Sequence, residues 1–181
     1  MGGVSRFGRR ACLGLLIAPA LTACGFHPVY APAASGADSA AATGLAEINV
    51  ALIPERSGQE LRLALQERFE RSGVAVARRY DLTVTFGVGA EAIGIQPDTS
   101  NTYVRLIGSA TYRLTAQDPT RSTLTSGIAR SVEGFNVFDQ QFFAQDQETD
   151  AIIKRIAEAI ADQIALQLAL YFKKQSATAA G

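Results

Sequence analysis

Apolar and polar residues alternate over YDLTVTFGV, residues 80–88, where Leu82, Val84, Phe86 and Val88 are interleaved with Thr83 and Thr85. A period of two predicts a strand with one face on a core and the other toward water. TYVRLIGSATYRLT, residues 102–115, repeats the pattern. Val104, Leu106, Ala110, Tyr112 and Leu114 fall on one side, and Tyr103, Arg105, Ser109, Thr111, Arg113 and Thr115 on the other. A further strand is expected over 122–135, with Leu124, Ile128 and Val132 in step toward the core. The turn segments QPDTSN, residues 96–101, and DPTR, residues 118–121, separate these strands and predict an antiparallel meander.

Upstream, LAEINVALI, residues 45–53, reads as a strand with Ile48, Val50 and Leu52 on one face, ended by Pro54. Ser57 to Glu60 has the spacing of a capping box. It is expected to open a helix with Leu61, Ala64, Leu65 and Phe69 on one stripe and Gly73 as its stop. From about Thr149 to Lys174, Ile153, Ile156, Ala157, Ile160, Ile164, Leu168 and Tyr171 recur at helical spacing. Asp146, Glu148 and Asp150 near its start and Lys173-Lys174 at its end suit the helix dipole. Asp150 and Lys154 form an i,i+4 pair, and Ile152, Leu166 and Leu170 widen the apolar face. The expected order is β-α-β-β-β-α. It describes an α+β two-layer sandwich: a four-stranded, mostly antiparallel sheet covered on one face by two helices.

The amino terminus follows a different pattern. MGGVSRFGRR carries Arg6, Arg9 and Arg10 without an acid, and ACLGLLIAPALTA, residues 11–23, carries no charge. A basic start, an apolar run and small residues at its end predict a secretory signal peptide over 1–23. The run falls short of the ~20 apolar residues that span a bilayer. Leu21-Thr22-Ala23-Cys24 resembles the bacterial lipoprotein signal, in which small residues lie extended in a peptidase site and the thiol takes up a diacylglyceryl group. That resemblance implies an acylated Cys24 as a membrane anchor, with Gly25, where an Asp would signal retention, implying sorting to the outer membrane. Arg9-Arg10 is similar to a twin-arginine signal, but its surroundings fit poorly. Residues 24–44, ending in APAASGADSAAATG, offer little to bury and are expected to form a lipidated start and flexible tether. The domain is expected over 45–174, and QSATAAG, residues 175–181, as a disordered tail.

Charge narrows the choice of partners. The whole chain of 181 residues has 17 basic and 17 acidic side chains, so bulk electrostatics do not suggest a nucleic-acid partner. Loss of the signal would remove Cys12 and three arginines, leaving 14 basic against 17 acidic groups and one cysteine. No intramolecular disulfide could then form, and the core alone must hold the fold.

No catalytic constellation emerges, and no metal or cofactor is expected. A metal site takes three or four ligands. Here the single histidine, His27, stands beside a cysteine that lipid would block, and reads as a linker residue. Gly87-Val88-Gly89 with Gly94 is not followed by a helix, as a dinucleotide fingerprint requires, and reads as a bulge or bend. Ser122, Ser126 and Ser131 have no histidine base, and Asp139 and Asp146 lack acid–base spacing. Binding remains. Arg105, Arg113 and Arg130 are expected to cluster on adjacent strands, where guanidiniums match phosphate bidentately and could hold a phosphorylated glycolipid. The other reading is a solvated sheet face. By parity Arg130 falls in step with Leu124, Ile128 and Val132, so a bulge is required to bring it beside the other two.

With the elements placed, the chain from about 21 to 172 resembles the LptE family of lipopolysaccharide-assembly lipoproteins (RlpB-like), in an alphaproteobacterial form. CGFHPVY resembles the family's C-G-F-x-P-[LV]-Y start, and YDLTVTF with NTYVRLIGSATYRLT its strand pair. FNVFDQQFFAQDQETDAIIKRIAEAIADQIALQLALYF resembles its aromatic loop and long last helix. The resemblance implies two helices on a four-stranded sheet and a non-enzymatic role in the outer membrane, facing the periplasm. It also implies partnership with the barrel protein LptD as plug and assembly factor, and contact with lipopolysaccharide. No family motif maps the lipid-binding residues onto this chain. An auxiliary lipoprotein of an ABC-type lipid transporter is the alternative.

Overall fold

The computed structural model describes residues 36–72, 76–95, 101–136 and 142–179, all within one compact unit, Pro32–Gly181. In chain order these form α1 (Gly36–Ala46), β1 (Ile48–Val50), α2 (Glu55–Phe69), a single 3-10 turn (Glu70–Ser72), β2 (Tyr80–Ile95), β3 (Asn101–Ala116), β4 (Thr123–Asn136) and α3 (Phe142–Ala179). The sheet runs β1-β2-β3-β4. β1 lies parallel to β2, and the other neighbours are antiparallel. The fold is the expected α+β sandwich with a mixed four-stranded sheet, to which α1 adds a third helix.

Leu82, Val84, Leu106, Ala110, Tyr112 and Leu114 point from β2 and β3 into the core, as their alternation predicts. From α3 the stripe Ile152, Ile156, Ile160, Ile164 and Leu168 meets them, with Ala157, Ala161, Ala165 and Ala169 allowing close approach. Burying each such branched side chain contributes roughly 1.5–3 kcal/mol. Gly108 lets helix and sheet touch: a Cβ there would overlap the Ile156 side chain. Leu61, Ala64, Leu65 and Phe69 of α2 complete the core as predicted. Beside it, Arg68 donates to both carboxylate oxygens of Asp162 and to the carbonyls of Ala64 and Glu158, clamping α2 onto α3. Asp162 thereby holds the Arg68 guanidinium above its usual pKa.

Several boundaries differ from those expected, among them the end of β2, at Ile95 and not Val88, and the start of α3, at Phe142 and not near Thr149. β1 covers only 48–50, because Leu45 and Ala46 end a helix and the pairing with β2 stops at Leu82. Leu52 is consequently 74% exposed, and Ile53 takes the buried place. Helix α2 begins at Glu55 after Pro54, with no side-chain cap, so Ser57 and Glu60 form no capping box. Gln59 turns back to donate to the Ile53 carbonyl instead. Part of the expected tether, Gly36–Ala46, is helical: its alanines form helix readily, and Ala41, Leu45 and Ala46 are buried. Gly44 sits directly on the Phe172 ring, 2.6 Å from where a Cβ would be. At the other end α3 continues past Lys174 to Ala179, since QSATA contains no breaker. Asp150 pairs with Arg56 of α2 at 3.2 Å, the partner seen in place of Lys154.

Both outer edges of the sheet are covered by side chains over part of their length. On β4, Gln163 of α3 accepts from the Arg130 N–H and donates to the Arg130 carbonyl, as a neighbouring strand would. One helical turn on, Gln167 donates to the Ile128 carbonyl and accepts from the Tyr112 hydroxyl. On β1, Arg78 donates to the carbonyls of Ala46 and Ile48, and Arg62 to that of Val50. Such coverage removes a template for unwanted pairing.

Candidate binding face

All three helices lie on one side of the sheet, and no described element covers the other. Its positions follow from the register: odd residues of β2 and β3, and even residues of β4. Thr83 stands opposite Arg113, Thr85 opposite Thr111, Gly87 opposite Ser109, and Glu91 opposite Arg105. Across the next pair, Arg113 faces Ser126, Thr111 faces Ile128, Ser109 faces Arg130, Ile107 faces Val132, and Arg105 faces Gly134.

The register corrects the parity expected for β4. Ala110 is buried and pairs with Ala129, so the inward residues are Ala129 and Phe135. Ile128 and Val132, expected in the core, are 68% and 48% exposed on the open face. Arg130 therefore joins Arg105 and Arg113 on that face without any bulge. The apolar side chains of β4 misled because they line the face that meets no helix.

The three arginines share the face but do not cluster. Arg105 and Arg113 are eight residues apart on one strand, about 27 Å at the strand rise, and Arg130 lies level with Ser109 roughly midway. Arg105 is occupied by Glu91 at 2.6 Å. Arg113 and Arg130 have no acidic partner among the described residues. A shallow depression beside Arg130 is lined by Gly87, Gly89, Glu91, Ile107 and Ser109. Its floor is bare, since a Cβ at Gly87 or Gly89 would meet nothing within 4 Å.

At the proximal end of the face, the Asp81 carboxylate accepts from Asn49 of β1 and from Gln117, both at 2.9 Å. These bonds hold it below the ordinary carboxylate range, Asn49 contributing most. The turn at Asp118–Arg121 forms as expected, with the Arg121 N–H donating to the Asp118 carbonyl. The Thr120 hydroxyl lowers the Asp118 pKa.

Among the described residues no group of three His, Cys, Asp or Glu could hold a metal, and no helix is long and apolar enough to cross a membrane. Ser126 and Ser131 have no general base beside them in the register, where Ser126 faces Arg113 and Ser131 faces Gly108. Cys24, His27, Gly73, most of the 96–101 turn and Asp139 lie outside the described residues. The open face offers Arg113 and Arg130, two guanidiniums without an acidic partner among the described residues, interleaved with isoleucine, valine and hydroxyl side chains, groups suited to recognition of an anion or an apolar surface.

Known proteins share this architecture. The family model LptE: Lipopolysaccharide-assembly matches residues 45–168. A lipoprotein from Caulobacter crescentus superposes with a TM-score of 0.58 at 21% identity, covering 74% of this chain and 96% of its own. Rare lipoprotein B from Shewanella oneidensis gives 0.52 at 15% identity, over 67% and 94% of the two chains. A minor lipoprotein from Acinetobacter baumannii gives 0.52 at 12% identity, over 68% and 91%. No curated protein matches the sequence.

Proposed function

Because the chain belongs to the LptE family of lipopolysaccharide assembly, we propose that it is a lipid-anchored outer-membrane partner of an LptD-like barrel protein. Its open sheet face meets the barrel or the phosphorylated glycolipid that the barrel delivers. The role is non-enzymatic. The observation that carries this reading is the uncovered face itself, on which Arg113 and Arg130 stand among Ile107, Ile128 and Val132. A glycolipid phosphate suits the guanidiniums, and acyl chains or barrel side chains suit the apolar residues. Arg105 is the weaker ligand of the three, because Glu91 must first release it.

The anchor in this reading is Cys24. Each acyl CH₂ buried contributes roughly 0.8 kcal/mol, so a triacylated cysteine holds the chain at the membrane. Cys24→Ser is expected to release the protein from the membrane fraction, and mass spectrometry of the mature amino terminus should show the acyl groups.

Depletion of the protein tests the function as a whole. The expected result is misassembled barrel protein and loss of lipopolysaccharide from the cell surface, and normal barrel folding after depletion overturns it. Recovery of an inner-membrane permease and ATPase in a pull-down from detergent-solubilised envelope would favour the ABC-transporter reading instead. For the lipid contact, the double variant Arg113→Glu with Arg130→Glu should weaken lipopolysaccharide binding in vitro at least tenfold. Unchanged affinity would return the arginines to a solvated face.

A further inference from the structure

Strand β2 has sixteen residues, while β1, its neighbour on the outer side, has three. β1 pairs with Tyr80–Leu82, and the last bond between them runs from the Ala51 N–H to the Leu82 carbonyl at 3.0 Å. Odd residues of β2 turn their main-chain groups toward β3, since the even residue Leu82 turns its carbonyl to the Ala51 N–H on the β1 side. Even residues turn theirs the other way. Beyond Leu82, the N–H and C=O of Val84, Phe86, Val88 and Ala90 therefore face outward, and none has a hydrogen-bond partner on that side among the described residues. This free run is bounded by the end of β1 and by the register shift between Ala92 and Gly94.

Unlike the edges covered by glutamine and arginine side chains, this one has no protection among the described residues. Residues 83–92 contain no Lys, Arg or Pro, and their one charge, Glu91, is neutralised by Arg105. A long, unpaired strand edge is a template for β-augmentation, in which an extended segment gains main-chain bonds and its alternate side chains find pockets.

We propose that this edge accepts an extended segment of the barrel partner as an added strand beside β2; the proposal rests on the barrel partnership proposed above. The character of that segment follows from the depression at Gly87 and Gly89. A strand laid along the edge places every second side chain on the open face, beside those two glycines. The bare floor, with Ile107 behind it, takes a large uncharged side chain there, aromatic or branched. A second copy of this chain is the poorer occupant. Antiparallel self-pairing about Val88 sets Gly87 against Gly89 of the second copy, and the depression stays empty.

The test uses the full chain co-expressed with the barrel protein and purified as a complex in detergent. Amide exchange at Phe86, Val88 and Ala90 should be fast in the free chain and slowed at least a hundredfold in the complex. Ala90→Pro removes an N–H that the free fold does not use, at a position where edge strands tolerate proline. It should leave the free chain's melting temperature within a few degrees and cut recovery of the complex at least tenfold. Gly89→Lys, which meets nothing within 4 Å of its Cβ, supplies a second variant with the same expectation. A complex whose three amides exchange as in the free chain, or that forms with both variants as with wild type, overturns the added strand and leaves the barrel partnership standing. If the wild-type chain yields no complex, both readings fall. Protection of the same amides in an isolated chain that sediments as a dimer overturns the proposal in favour of a second copy.

Discussion

Backbone at Gly108 lies against the Ile156 side chain, with Ile160 close behind, so even a methyl group must displace that side chain or the helix that carries it. Overpacking of this kind costs about 1–3 kcal/mol. Gly108→Ala should lower the urea midpoint of unfolding with an unchanged slope, and an unaltered midpoint would show that α3 can shift freely. Asp81 makes a different prediction. Its carboxyl is held below the ordinary range, so its charged form is favoured by folding. The stability it contributes is full above the unfolded carboxylate value near pH 4 and is lost as pH falls through the lowered folded value. The stability difference between wild type and Asp81→Ala should therefore be constant near neutrality and shrink in acid. Equal differences at pH 7 and at pH 2.5 would refute the charged bridge to Asn49 and Gln117.

At the level of elements, the side-chain amide of Gln163 replaces a strand along part of β4. Gln163→Ala leaves the Arg130 N–H and C=O without that partner, at roughly 1–2 kcal/mol for the two bonds. A chemical melt should detect this loss, and hydrogen exchange at Arg130 should quicken. Most of the element order was legible in the sequence because period two and period 3.6 differ so clearly over residues 80–115 and 152–168. What escaped was decided by tertiary contact. β4 is apolar at Ile128 and Val132 on the side that no helix covers, so its alternation pointed to the wrong face. The small residues of α1 gave no periodic signal, and their helix is held by Phe172 and the body of α3.

For the molecule as a whole, α1 belongs to the folded body. A chain beginning at Glu47 loses buried Leu45, Ala41 and Ala46, and should be less stable than one beginning at Gly36 by about 3 kcal/mol. Equal stability of the two would return α1 to the role of a tether. Of the candidate face, the arginines were legible one by one. Their common side was not, since it depends on the pairing of Ala110 with Ala129. The glutamines of α3 have one more effect, on how copies of the protein can associate. Growth of a sheet from molecule to molecule needs two edges that accept each other, one to give and one to receive. With Gln163 holding the Arg130 N–H and carbonyl and Gln167 the Ile128 carbonyl, these groups of β4 are taken from any incoming strand. A segment matched to the free edge of β2 therefore finds no second template at that stretch of β4. Coverage of this kind disfavours stacking of copies edge to edge into a fibre while leaving the β2 edge open to a single added segment.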